Sequence, residues 1–262
     1  NVTGVQTCAL PIWTEPLSPF DVEGRKWFSP EWEEHFAGRL AAASPRHRVR
    51  LTRPYYIQTN EVGKEAFEKV VGKVPPDNSG RELTRGVTLA DAVAFCNGAS
   101  TLEDKSSAYA TTDGVPTRAL DADGYRLPTE AEWEFAARAG TTGLWFFEDA
   151  SMTKEELQEA IRDNQTEHRG AGAKANPFGL FNVYGGSSDR CFDRYRPYTA
   201  EDSVDPFVEP GDENVVTRGG SSFAGAGAAA DVTNAVTRDS RDQSDAAWEG
   251  IGRVVLPIPS AP

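Results

Sequence analysis

The chain has 262 residues, 39% hydrophobic and 10% aromatic, with 24 Gly and 17 Pro, a turn-rich globular composition long enough to bury one sizeable core. Its 40 acidic side chains outnumber 27 basic ones, and the formal net charge of −13 excludes nucleic-acid phosphates and anionic membrane surfaces as primary partners. No stretch approaches the ~18 consecutive apolar residues of a membrane span.

At the amino end, residues 4–12 read GVQTCALPI, which resembles the translated read-through of a sequencing adapter at the end of a fragmentary metagenomic reading frame. Residues 1–12 are therefore expected to be a non-native segment, in which case the true start and any signal peptide would precede this sequence. Residues 13–45 are an N-terminal extension or the truncated start of the domain, with Trp27, Phe28, Trp32 and Phe36 as scattered anchors and a short helix over Ser29–Phe36. The domain proper is assigned to 46–258, followed by a tail at 259–262. Val49, Leu51, Tyr55 and Ile57 alternate with polar positions, which predicts two short strands or one kinked at Pro54.

A short helix follows over Glu65–Val71 with Phe67, Val70 and Val71 inward, then a Gly- and Pro-rich loop over 72–86. Thr88 caps a second helix over Leu89–Asn97, with Asp91 in its first turn. Gly98–Asp123 reads as polar and irregular. The stretch GYRLPTEAEWEFAARAG, residues 124–140, then writes a helix emphatically: Thr129 and Glu132 have capping-box spacing, and Gly140 is free to end the helix in the left-handed conformation. Trp133, Ala136, Ala137 and Gly140 make a narrow face that another backbone can approach closely. Arg126 and Glu134 are expected to form a structural ion pair. Thr153 and Glu156 open one more amphipathic helix to about Asp163 through Leu157, Ala160 and Ile161. From Ala171 onward, compact loops pinned by small strands at Asn214–Thr217 and Gly252–Leu256 are predicted. FAGAGAAAD, 223–231, lacks both the lysine and the strand–turn–helix context of a phosphate cradle.

Cys8, Cys96 and Cys191 are three spread thiols that make neither a disulfide framework, at most one disulfide, nor a zinc site of closely spaced pairs, and His35, His47 and His168 are similarly isolated. Trp145, Phe146 and Phe147 are candidates to line a pocket, against the commoner role of such a run in a core.

Several stretches together resemble the formylglycine-generating (sulfatase-modifying factor) family: PRHRVRLTRPYYIQTNEV, VTLADAVAFCN, YRLPTEAEWEFAARAG, NPFGLFNVYGG, CFDRYRPY, VTRGGSS and GIGRVVL, in order over about four fifths of the chain. The resemblance implies an α+β, C-type-lectin-like fold with few helices, small antiparallel sheets and long ordered loops. Active members hold copper(I) through two cysteines after the RGGS block and use oxygen to convert a substrate cysteine into formylglycine. A soft monovalent metal requires those thiolates. This chain has no cysteine after Cys191, and Ala224 and Ala229 stand near where the pair would be. Copper is not expected.

The family's G-N-V-W-E-W block, part of a calcium site, reads GGSSDR here, so Gly186 replaces the Asn and Asp189 the Glu. Asn164 resembles an asparagine ligand of a second calcium site. Asn164 and Asp189 are thus the calcium candidates, and Arg218 of the RGG block, with Trp145, the ligand-binding candidates. The related sulfoxide synthases hold iron through three histidines of an added helical domain, for which this chain has neither the length nor the histidines. The resemblance implies a non-catalytic binding or accessory module with no cofactor expected beyond calcium, taking a protein, peptide or glycan ligand outside the cytoplasm, secreted, periplasmic or lipid-anchored. One alternative is a formylglycine-generating oxidase with displaced ligands. Another is a retroelement-diversified lectin-like binder.

Overall fold

The structure, a computed structural model, describes residues 2–5, 42–75, 82–149, 151–164, 174–220, 235, 238–244 and 250–259. The helix predicted at Ser29–Phe36 and its neighbouring aromatic anchors, Cys8, His35, His168, Ala224 and Ala229 lie outside these residues. Alternation at Tyr55 and Ile57 makes the middle of the first sheet. Strands β1 (Val2–Val5), β2 (Val49–Arg50) and β3 (Tyr55–Gln58) come first in the chain, and β3 takes β1 on one edge, antiparallel. Both Tyr55 and Ile57 are fully buried while Tyr56 points outward, as a period of two requires.

Helix α1 (Lys64–Val71) ends on Gly72 in the left-handed conformation and buries Phe67, which stacks on Phe95 of helix α2 (Leu89–Leu102). That second helix spans Leu89–Leu102 from the Thr88–Asp91 capping box, five residues beyond the end expected at Asn97. Gly98 does not stop it, because α1 lies against that position: a Cβ on Gly98 would sit 2.9 Å from Val70 Cγ1 and 3.2 Å from the Val70 carbonyl oxygen. Gly98→Ala is therefore expected to lower the melting temperature. The roughly 1 kcal/mol gain in helix propensity is outweighed by overpacking worth about 1–3 kcal/mol, and a thermal melt of the variant checks this.

The segment read as irregular contains a hairpin, β4 (Tyr109–Thr112) and β5 (Val115–Arg118). Its turn is Asp113–Gly114, both at positive φ (51° and 82°), which suits the right-handed twist of paired strands. Helix α3 (Glu130–Arg138) follows from the Thr129–Glu132 capping box. Its left-handed cap is Ala139 (φ 48°), one residue before the expected Gly140, which is itself at φ 88° and exposed. Helix α4 (Lys154–Asn164) opens at Thr153, whose N–H donates to Glu156 Oε2 (2.8 Å), and buries Leu157 and Ile161.

The remaining strands are β6 (Asp189–Arg194), β7 (Ser203–Val204), β8 (Val215–Arg218), β9 (Arg238–Arg241) and β10 (Val255–Pro257). They give three antiparallel sheets, β1–β3–β10, β4–β5 and β6–β8–β9, and a two-residue parallel ladder between β2 and β7. Two hydrophobic clusters fill the interior. One gathers Tyr55, Ile57, Trp133, Leu157, Tyr184 and Cys191; the other gathers Phe67, Leu89, Phe95, Cys96, Tyr109 and Phe192. Strand pleating links them, since Cys191 and Val216 face the first cluster while their neighbours Phe192 and Val215 face the second.

Candidate functional site

The N-terminus of α3 organises the polar interior. Glu132, third residue of the helix, accepts the Thr129 N–H at 2.8 Å and also takes a bidentate ion pair from Arg126, at 2.6 and 2.7 Å. Arg126 thus pairs with Glu132, not with Glu134 as expected from sequence. Two residues along an α-helix turn the side chain by about 200°, so Glu134 faces away from Arg126 and meets Arg138 at 2.9 Å and Arg218 at 2.6 Å. Burial pushes both carboxylates up, but the arginines beside them outweigh it and hold each below the usual carboxylate range.

Glu130, the first residue of α3, joins the two strand ends opposite it. Arg218 of β8 donates to Glu130 Oε1 at 3.2 Å, and Arg238 of β9 donates to both oxygens at 2.7 and 2.6 Å. Arg218 and Arg238 are register partners across β8–β9, so one carboxylate fastens both ends of the connection 219–237 to the helix. The Arg238 guanidinium also lies over the Tyr198 and Tyr195 rings, at 3.9 and 4.7 Å from their centroids. Arg218 in turn lies over Trp133 and donates to the Ala235 carbonyl at 2.6 Å. The ligand candidate Arg218 is thus a fully buried brace in this network.

A second centre surrounds Asp189. Its carboxylate accepts the Trp133 indole N–H (2.7 Å), the Arg253 backbone N–H (2.8 Å) and the Arg253 guanidinium (2.5 Å). Nearby, Glu61 accepts the Ser187 N–H at 2.6 Å, and burial, with the Asp189 charge adding to it against Arg253, pushes the Glu61 carboxyl up to about 8. Asp193 is pushed up to about 7, by burial first and by the Glu130 carboxylate, although the N–H groups of Glu130 (2.7 Å) and Val208 (3.2 Å) oppose this.

These placements bear on the metal candidates. Calcium needs six or more oxygens, whereas Asp189 is already committed to one indole and one arginine, and Asn164, at the end of α4, donates its amide to the Ala160 carbonyl (2.9 Å). Glu61 lies near Asp189, but among the described residues no group of three or more His, Cys, Asp or Glu side chains is placed to hold a metal. Among the described residues, the donors around Asn164 and Asp189 fall short of the oxygens that calcium needs. Cys96 and Cys191 are free, fully buried and sealed in different clusters, and burial pushes both thiols up, away from the thiolate that copper(I) needs. Trp145 is a core residue at 5% exposure, while Phe146 and Phe147 lie half-buried against Tyr184.

Residues outside the sequence-based candidates carry much of this interior: Glu61, Glu130, Arg238 and Arg253. Asn182 is a further one. It is 2% exposed, sits in the left-handed region at φ 53°, and has neither amide atom in a hydrogen bond. Asn176 of the same segment is a pure organiser, since its amide nitrogen caps the Ala136 and Ala137 carbonyls of α3 while its oxygen accepts the N–H groups of Phe178 and Leu180.

Comparison with known proteins agrees with this architecture. The chain resembles the chaperone protein LppX of Paenibacillus barcinonensis, 28% identical over 184 residues that cover 57% of this chain and 66% of that protein, just short of two thirds of its length. Treponema denticola variable protein 1 superposes with a TM-score of 0.69 at 20% identity, covering 97% of this chain and 94% of that one. PvdO from Pseudomonas aeruginosa gives 0.64 at 18% identity, covering 98% and 94%. At such identities the two structures establish the shared fold. A family model described as the sulfatase-modifying factor enzyme 1-like domain matches residues 24–255, and the chain belongs to that family.

Proposed function

We propose that this chain is a non-catalytic member of its family, a binding or accessory module for a protein, peptide or glycan ligand. The observation that carries this reading is the fate of the sulfur: no cysteine follows Cys191, and the two thiols of the described core are buried apart from each other with their pKa values raised. The copper(I) chemistry that the family resemblance implies uses a pair of thiolates, the soft ligands that suit this ion. The relative named as a chaperone supports an accessory role on another polypeptide. A location outside the cytoplasm belongs to the same proposal.

The experiment is to incubate the purified chain with copper(I), oxygen and a cysteine-containing sulfatase peptide, and to follow the peptide by mass spectrometry. No aldehyde product is expected. Oxygen-dependent formylglycine at a rate above the copper-only control overturns the proposal in favour of an oxidase with displaced ligands.

A further inference from the structure

Strand β3 lies between β10 and β1, and its backbone groups divide between them. The Gln58 N–H donates to the Val254 carbonyl and the Pro54 carbonyl accepts the Ile258 N–H, both at 3.1 Å, so the even-numbered residues face β10. By alternation the N–H and C=O groups of Tyr55 and Ile57 face the other way, with Val5 and Thr3 of β1 as their register partners. Thr59 continues that edge, and its carbonyl accepts the Phe181 N–H at 2.8 Å. The stretch left to β1 is therefore Tyr55–Ile57, whose Tyr55 and Ile57 side chains are fully buried in the cluster around Trp133.

The strand that fills this edge carries little that is specific to it. Residues 2–5 read VTGV and fall in the segment expected from sequence to be non-native, and Gly4, opposite Tyr56, has no side chain. Strand β1 pairs with β3 alone. It is held along one side by main-chain bonds, which any extended polypeptide can supply. An empty edge would leave the amides and carbonyls of Tyr55 and Ile57 unpaired beside the core, which is costly.

We propose that the Tyr55–Ile57 edge of β3 is an acceptor for an extended segment of another polypeptide, which replaces β1 as an added antiparallel strand. The chemistry of the edge narrows that partner. Residues paired across two strands share a face, so those opposite Tyr55 and Ile57 lie on the core-facing side and suit Val, Ile or Thr. Those opposite Tyr56, which is 38% exposed, lie on the outer side and suit polar residues. The net charge of −13 disfavours an acidic segment. The inference rests on the binding reading above for its purpose and names the ligand class as a strand-forming peptide. Aldehyde formation in the copper assay refutes that reading and leaves the edge untouched, whereas the experiment below reads the edge alone.

The test uses the full chain with Thr3→Pro and Val5→Pro together, which removes both N–H groups that β1 offers to Ile57 and Tyr55. The double variant is expected to melt below the parent. An excess of a synthetic peptide of residues 1–7, or of an unrelated peptide alternating valine and lysine, is expected to raise it again by several degrees. The same peptides N-methylated at the bonding positions are expected to do nothing. A variant that melts with the parent overturns the proposal, as does a melt that neither peptide raises or that the N-methylated peptides raise equally. A rise with the chain's own sequence alone also overturns it, since the edge would then read side chains. If the variant fails to fold, amide hydrogen exchange in the parent decides: Tyr55 and Ile57 are expected to exchange faster than Tyr56 and Gln58, and equal protection sinks the proposal.

Discussion

Glu130→Ala is expected to cost about 3–5 kcal/mol of folding stability, the usual loss when one member of a buried ion pair is removed. Against a total of ~5–15 kcal/mol for a domain, that is a large fraction. The cause is the pair of guanidiniums left behind. Arg218 and Arg238 have side chains 0% and 1% exposed, and Arg238 would lose both of its carboxylate bonds. Arg218 would keep Glu134 at 2.6 Å, so Arg238 bears most of the effect. The control is Glu213→Ala, which removes a pair with Arg194 whose side chains are 57% and 37% exposed. Such a pair contributes ~0–1 kcal/mol because water screens it. Denaturant unfolding of both variants at unchanged m-value makes the comparison; equal losses would show that Glu130 is not a structural junction.

The fold is also expected to gain stability as the pH falls from about 8 towards about 5, opposite to ordinary acid denaturation. Glu61 and Asp193 carry folded values of about 8 and about 7, against ordinary values of 4.5 and 3.8. Over that window the folded chain keeps protons that the unfolded chain has released, so stability rises as protons are added. This contribution is complete below the unfolded values and is lost as the pH climbs through the folded ones. Glu132 and Glu134 behave in the other sense: their folded values are depressed, so their contribution is present above the unfolded value and vanishes in stronger acid. The melting temperature is therefore expected to peak at mildly acidic pH, several degrees above its value at pH 8.5. Asp193→Asn and Glu61→Gln should each flatten the alkaline limb, and a profile flat from pH 5 to 8.5 in the parent would refute the assignment.

What was legible in the sequence was local. The Thr88–Asp91, Thr129–Glu132 and Thr153–Glu156 boxes each start a helix at the expected residue, because a hydroxyl, a carboxylate and two backbone N–H groups within one turn need nothing from the rest of the chain. The end of α2 was not legible, since its continuation through Gly98 depends on how closely Val70 packs. The β4–β5 hairpin did carry a signal, the Asp113–Gly114 dipeptide, inside a segment whose polarity masked it. Strand β6 was hidden for a different reason. Asp189, Arg190 and Asp193 look like surface residues yet are buried, each held by groups such as Arg253, 64 residues away from Asp189. Arg238 and Glu130 are likewise separated by 108 residues. Pairings of this kind have no period and no spacing, so the interior charge network, which forms most of the candidate site, emerges only once the chain is folded.

The two sealed thiols give the molecule a built-in pair of reporters. Cys96 belongs to the α1–α2 side of the interior and Cys191 to the α3–α4 side, and neither side chain reaches solvent in the native state. An alkylating reagent can modify them only during transient openings, so each labelling rate measures the opening free energy of its own half. Identical rates describe a polypeptide that breathes as a single cooperative body; diverging rates locate the weaker half without any engineered probe.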